Sequence, residues 1–189
     1  MRKLLAYPIF RVFLVAFPIG LIVLAVSNFL PPVYRSKSQI LVNIIDPELN
    51  NYQISEIAQR QSEIVKNYFQ SRDFITLVLN DALFSYSQKD IENIMNKKFK
   101  VEVPANSNVI RIITFGRTPT EAQALNRSSI NVLKKQIDSV SYLKEGTKIS
   151  LKIIENPSIS FEPVSPQPFL YALVAFLVVL FLGSLFFIY

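Results

Sequence analysis

The side chains able to do chemistry in this chain are hydroxyls, carboxylates, amides, lysines and arginines, because cysteine and histidine are both absent from its 189 residues. That absence removes thiolate nucleophiles, disulfides, Cys/His metal sites and imidazole acid-base catalysis together. Serine and tyrosine remain, but without histidine or a convincing lysine partner a nucleophile has no evident base. Four glycines supply neither a GxGxxG turn nor a phosphate-cradling loop, and there is no nucleophile elbow and no carboxylate pair in a plausible cleft. No catalytic, cofactor-binding or metal-ligating residue is therefore assigned, and no cofactor and no enzymatic activity are expected.

Charge is the next source of chemistry. The net charge is +6, but Arg2, Lys3 and Arg11 precede the first apolar stretch, which leaves 17 basic residues against the 14 acidic ones in the remainder. An excess of three steers ligands weakly, and no nucleic-acid partner is expected. The one dense cluster, Lys97, Lys98 and Lys100, reads as a solvated strand edge protected from pairing, with an anionic glycan or lipid head group as the functional alternative. The 15 Phe and 8 Tyr fall mostly on core positions or in the terminal stretches, so no sugar-stacking residue is nominated.

The elements that would position these groups follow from periodicity. After Pro31-Pro32, which stops any helix, Ser38 to Ile45 is rich in β-branched residues and closes at Asp46-Pro47, as a strand and turn do. Tyr52 to Phe69 has helical spacing. Ser71 and Asp73 can cap a second helix, and Ser87 ahead of Asp90, Ile91 and Ile94 begins a third. Phe99 to Val103 and Val109 to Phe115 alternate around a turn and predict a hairpin. Thr118-Pro119-Thr120-Glu121 is the sharpest local signal: a capping threonine, proline at the first helical position and a glutamate able to reach back to the cap amide. The helix it opens runs to a stop at Gly146, and Thr147 to Ile154 alternates as a last strand. Glu155-Asn156-Pro157 then leads through Pro163, Pro166 and Pro168 as a stiff extended connector.

Both ends of the chain are uncharged and apolar. Val12 to Leu30 and Phe169 to Tyr189 contain 19 and 21 residues, and about 20 residues of helix cross a ~30 Å hydrocarbon layer. Neither holds an ionisable group of the kind that lines an ion path, so both read as anchors. Pro18 and Gly20 in the first read as tolerated or as marks of close helix packing, with a hinge as the functional alternative, and Gly183-Ser184 in the second reads as a contact point between helices or as nothing. The first stretch is longer than a signal-peptide core and lacks a cleavage pattern after it, so it is read as retained. Basic residues before it place the N-terminus on the cytoplasmic side, the central domain outside the plasma (inner) membrane and the C-terminus back at the inner face. The expected architecture is α+β, a small mixed sheet with packed helices between two transmembrane helices. Its parts are residues 1–30, a stub and first span; 31–156, the extracytoplasmic domain; 157–168, the connector; and 169–189, the second span.

Taken in order, Pro31, Pro32 and Tyr34 leading into Ser36-Lys-Ser-Gln-Ile-Leu-Val42, Asn108-Val-Ile-Arg-Ile112 before the helix that opens with Thr118, Pro119 and Glu121, and Pro157, Pro163, Pro166 and Pro168 ahead of the second span resemble the Wzz family of polysaccharide co-polymerases, the chain-length determinants. The resemblance implies an α+β base domain outside the membrane, assembled into homo-oligomeric rings and not catalytic. It also implies a membrane polymerase or exporter as partner and a glycan, of O-antigen, capsule or exopolysaccharide, as the object whose length is set. The chain departs from longer members in lacking the residues for a tall helical extension, and from kinase-bearing members in lacking a nucleotide-binding domain and tail. Two other readings stay open: a membrane adaptor that modulates a separate tyrosine kinase, and a scaffold subunit of a secretion or pilus assembly.

Overall fold

The structure is a computed structural model that describes residues 8–140 and 148–186. In chain order its elements are helix α1 (Pro8–Asn28), strand β1 (Tyr34–Ile45), helices α2 (Asn51–Phe69), α3 (Arg72–Asp81) and α4 (Ile91–Lys98), strands β2 (Phe99–Glu102) and β3 (Val109–Gly116), helix α5 (Pro119–Val140), strand β4 (Lys148–Glu155) and helix α6 (Pro168–Phe186). They form two compact units: α1 with α6, and the α+β unit Val33–Pro163.

In the helical unit, α1 continues through Pro18 and ends at Asn28, short of the expected Leu30. The Asn28 side-chain amide donates to the Leu24 carbonyl at 3.0 Å, and Leu30 precedes Pro31, whose ring disfavours helical backbone in the residue before it. The apolar helical run Val12–Asn28 is therefore the shorter of the two, and Pro168–Leu185 is the one helix among the described residues long and apolar enough to cross a membrane. The two helices pack antiparallel. Gly183 lies where a Cβ would collide with the Val12 side chain, Gly20 sits so that a Cβ would lie 3.5 Å from both the Ala172 carbonyl and Phe176, and Phe13 meets Phe176 edge-on at 5.6 Å. The glycines thus serve helix contact, as small residues do where helices approach closely.

The α+β unit is built on a four-stranded sheet of order β2-β3-β1-β4. Every pairing is antiparallel, which corrects the expectation of a mixed sheet. The reason is topological: β1 and β2 run the same way but are separated by β3, and β3 and β4 run the same way but are separated by β1. These are two interleaved crossover units, the split βαβ arrangement of ferredoxin-like folds. Strand β1 starts at Tyr34, before the expected Ser38, because its register with β3 runs from Tyr34↔Gly116 to Leu41↔Val109. Past its bulge β4 pairs Ile40↔Ile153 through Ile45↔Lys148.

Alternation decides which face is covered. Ser36, Ser38, Ile40, Val42 and Ile44 of β1 all point into the core, joined by Ile110 and Ile112 of β3 and by Phe69, Phe74, Ile75, Val78, Leu125 and Leu133 from the helices. Burial at ~25 cal/mol per Å² of apolar surface makes this layer the principal source of stability. The opposite face carries a polar row across all four strands: Lys100 and Glu102 (2.8 Å), Arg111 and Glu102 (3.4 Å), and Gln39, which donates to Glu155 at 2.7 Å.

Local caps start the helices where the sequence indicates. Ser71 accepts from the Phe74 amide at 3.2 Å, and a reciprocal Asn50–Gln53 capping box, not anticipated, starts α2. The third helix opens with a 3₁₀ turn, Gln88–Asp90, capped by Ser87. The expected stop of α5 at Gly146 and the first residue of the last strand, Thr147, lie outside the described residues. Beyond β4 the chain does not leave at once as a free connector. The Ser158 amide donates to the Lys37 carbonyl at 3.0 Å, and the Ser158 hydroxyl accepts from the Lys37 amide at 3.2 Å.

Candidate functional site

The β2–β3 register, Phe99↔Thr114 through Glu102↔Arg111, sets the last turn of α4 beside the end of β3. Between them lies an open groove of about 720 Å³, within the ~300–1,000 Å³ range of small-ligand sites. One wall is the segment from Ser85 to Lys98, with Tyr86, Ser87, Asp90, Asn93, Ile94 and Lys97; the other is Val33 with Phe115, Gly116 and Arg117.

The turn from β3 into α5 is held by Glu121. Its amide donates to the Thr118 hydroxyl at 3.1 Å, the expected cap bond. Its carboxylate reaches one residue further back than expected, accepting from the Arg117 amide at 2.7 Å, while the other oxygen accepts from Lys98 at 2.5 Å. Glu121 thereby ties the two walls of the groove together. Burial pushes its carboxyl upward, but the Lys98 hydrogen bond, the Arg117 amide and the positive charges of both residues outweigh that, and its pKa lies below the usual 4.5. Lys98 also lies 6.0 Å from the centre of the Phe84 ring.

Gly116 explains how close α5 comes. A Cβ there would stand 2.6 Å from the Ala122 nitrogen and 3.0 Å from the Glu121 Cβ, so only glycine fits. The Thr114 hydroxyl donates to the Ala122 carbonyl at 2.6 Å, and buried Asn126 bridges α5 to the sheet, accepting from Ser38 at 2.6 Å and donating to the Ile112 carbonyl at 3.3 Å.

The lysine cluster expected at a strand edge divides. Lys100 lies on β2, an edge strand, and pairs with Glu102; Lys98 pairs with Glu121; exposed Lys97 lines the groove with no ion pair among the described residues. The motif residues do not converge on one place. Tyr34, Thr118, Pro119 and Glu121 share the end of the sheet at Gly116. Pro157 accepts from Gln123 of α5 at 3.1 Å, and Pro163 closes the α+β unit. Pro31, Pro32, Pro166 and Pro168 belong to the helical unit, Pro168 as the first residue of α6. Sequence reading missed Tyr86, Asn93, Phe115 and Arg117. The one available signal was the hairpin, whose register starts at Phe99↔Thr114 and so brings the end of α4 near the end of β3.

Among the described residues no cluster of acidic side chains could hold a metal ion, and the groove offers cations, hydroxyls, amides and ring faces. Such a lining can bind and orient a ligand by charge, hydrogen bonding and stacking. No family model matches the sequence. The chain is similar to the capsular polysaccharide biosynthesis protein CpsC of Streptococcus pneumoniae, with 26% identity over 142 residues, 73% of this chain and 60% of that relative's length.

Proposed function

We propose that this protein is a membrane-anchored, non-catalytic accessory of surface-polysaccharide assembly, a co-polymerase that works beside a membrane polymerase or exporter and influences the length of the glycan. The observation that carries this reading is the similarity, across 73% of the chain, to a protein named for capsular polysaccharide biosynthesis. The order of the proline and strand motifs around two apolar ends agrees with it.

The helical unit supports anchoring. Helix α6 has the length and composition of a span, and α1, with a 17-residue, mostly apolar run from Val12 to Asn28, sits at the short end of the ~17–25-residue range. Arg11, next before this run in the sequence, is a basic flank of the kind that stays on the cytoplasmic side. Antiparallel contact between the two helices, through Gly183 and Val12, suits a hairpin that enters and leaves the same membrane. On this reading the α+β unit is extracytoplasmic and gathers with copies of itself.

Deleting the gene and resolving surface polysaccharide on a gel tests the proposal. A shifted length distribution or a reduced amount is expected, and an unchanged ladder in both respects overturns it.

A further inference from the structure

The groove beside Glu121 has features that exceed what a structural cleft requires. Its charged lining is Lys97, Lys98 and Arg117 together with Asp90. Lys98 is neutralised from behind by Glu121. Lys97 and Arg117, on opposite walls, are exposed and have no ion pair among the described residues. Counting Glu121, the local excess is a single positive charge. A dense polyanion such as duplex DNA, with a charge every ~1.7 Å, calls for a far larger excess. A ligand with isolated anionic groups suits it.

The remaining lining narrows the class. Half-buried Tyr86 and Phe115 are its aromatic lining, and Ser85, Ser87 and Asn93 supply hydroxyl and amide groups. Rings that cover apolar C–H faces, next to groups that both donate and accept, match a sugar. The site is also held in shape: the Tyr86 hydroxyl donates to Asn80 at 3.1 Å, and Glu121 bonds to both walls. A preformed site loses less entropy on binding.

We propose that this groove binds an acidic saccharide, one carrying a carboxylate or phosphodiester on its repeating unit, with Lys97 and Arg117 contacting the anion and Tyr86 and Phe115 the sugar ring. The proposal rests on the polysaccharide reading above and names the glycan chemistry and the residues that meet it.

The test uses the full chain in nanodiscs of neutral phosphatidylcholine, titrated with a galacturonic acid tetramer, its fully methyl-esterified counterpart and a glycerol-phosphate oligomer. One or both acidic probes bind, and the ester binds at least about tenfold more weakly. Lys97→Ala/Arg117→Ala weakens the acidic probe by about tenfold or more and removes its salt dependence, whereas Lys152→Ala, at an exposed lysine of β4 outside the groove, does not. Unchanged melting of the double variant separates lost binding from lost folding. The carboxylate and phosphodiester probes distinguish the two anion types. Equal binding of acid and ester, no binding of any probe, or an unaffected double variant overturns the proposal. So does attachment only to vesicles containing phosphatidylglycerol, which would make the cations a lipid contact. A strain carrying the double variant with normal polysaccharide, where the deletion strain has lost it, would sink this inference and leave the broader function standing.

Discussion

The helix-facing side of the sheet has two ends built from different material. At one end Ile40, Val42 and Ile44 of β1 meet Ile110, Leu151 and Ile149 across the register. At the other, Ser36 and Ser38 lie near Thr114 and Gly116 beneath Ala122 and Asn126. The aliphatic end gains stability from burial alone, which is non-directional and tolerates small shifts. The polar end gains position. Its short side chains let α5 approach until a Gly116 Cβ would have no room, and its hydrogen bonds fix the height of the helix that carries Glu121, and with it one wall of the groove. Stability and precision are thus assigned to separate ends of one layer.

The contrast can be broken most strongly at the aliphatic end. Ile40→Ala, at a fully buried site, is expected to cost roughly 2–5 kcal/mol in chemical denaturation; a loss below that of any polar-end change would reverse the assignment. Next is Asn126→Ala, which leaves the buried Ser38 hydroxyl without its acceptor and should cost roughly 1–3 kcal/mol. Replacing both partners, Ser38→Ala with Asn126→Ala, should recover part of that loss, since the Ile112 carbonyl still lacks its donor, and the double-mutant cycle with the two single variants reads the coupling. If the double variant is as unstable as the single, the pair contributes stability and not merely placement.

A smaller effect is pH-dependent. Because the folded pKa of Glu121 is lowered below 4.5, its stabilising bonds are fully present above the unfolded value and fade as pH falls through the folded one. Melting temperature should therefore drop on acidification below about pH 4.5 more steeply for the native chain than for Glu121→Gln. Parallel curves would remove Glu121 as the tie between the walls. The smallest change expected is at Ser36, whose buried hydroxyl has no partner among the described residues: Ser36→Ala should raise stability by about 0.5–1 kcal/mol, and a loss would mean the hydroxyl has a structural use.

The same division explains what could be read from the sequence. The aliphatic half of β1, Ser38 to Ile45, announces a strand, while the inward serine at 36 hides the alternation, and the strand's first four residues, Tyr34–Lys37, were lost with it. Thr118-Pro119-Thr120-Glu121 foretold the start of α5 because capping is a local event. The carboxylate's actual partners, Arg117 and Lys98, depend on a turn one residue longer and on a helix 23 positions away. Sheet order could not be read either, since two interleaved crossovers and a mixed sheet share the same run of strands and helices. Lys97 was visible as part of a charge cluster. Its distinction from Lys98 and Lys100 is a matter of which carboxylates folding brings near.

The bond between Lys37 and Ser158 means that the polypeptide enters and leaves the α+β unit at one corner. Without that closure, α1 and α6 would have to find each other across about 140 residues of chain; with it, the effective separation is about 20. Loop-closure entropy grows by ~0.6 kcal/mol per doubling of length, so prior folding of the insert favours helix pairing by about 2 kcal/mol. The order of assembly follows: the α+β unit, once folded, acts as a clasp on the chain between the two helices, and a lesion that delays its folding would surface first as weakened pairing of α1 with α6.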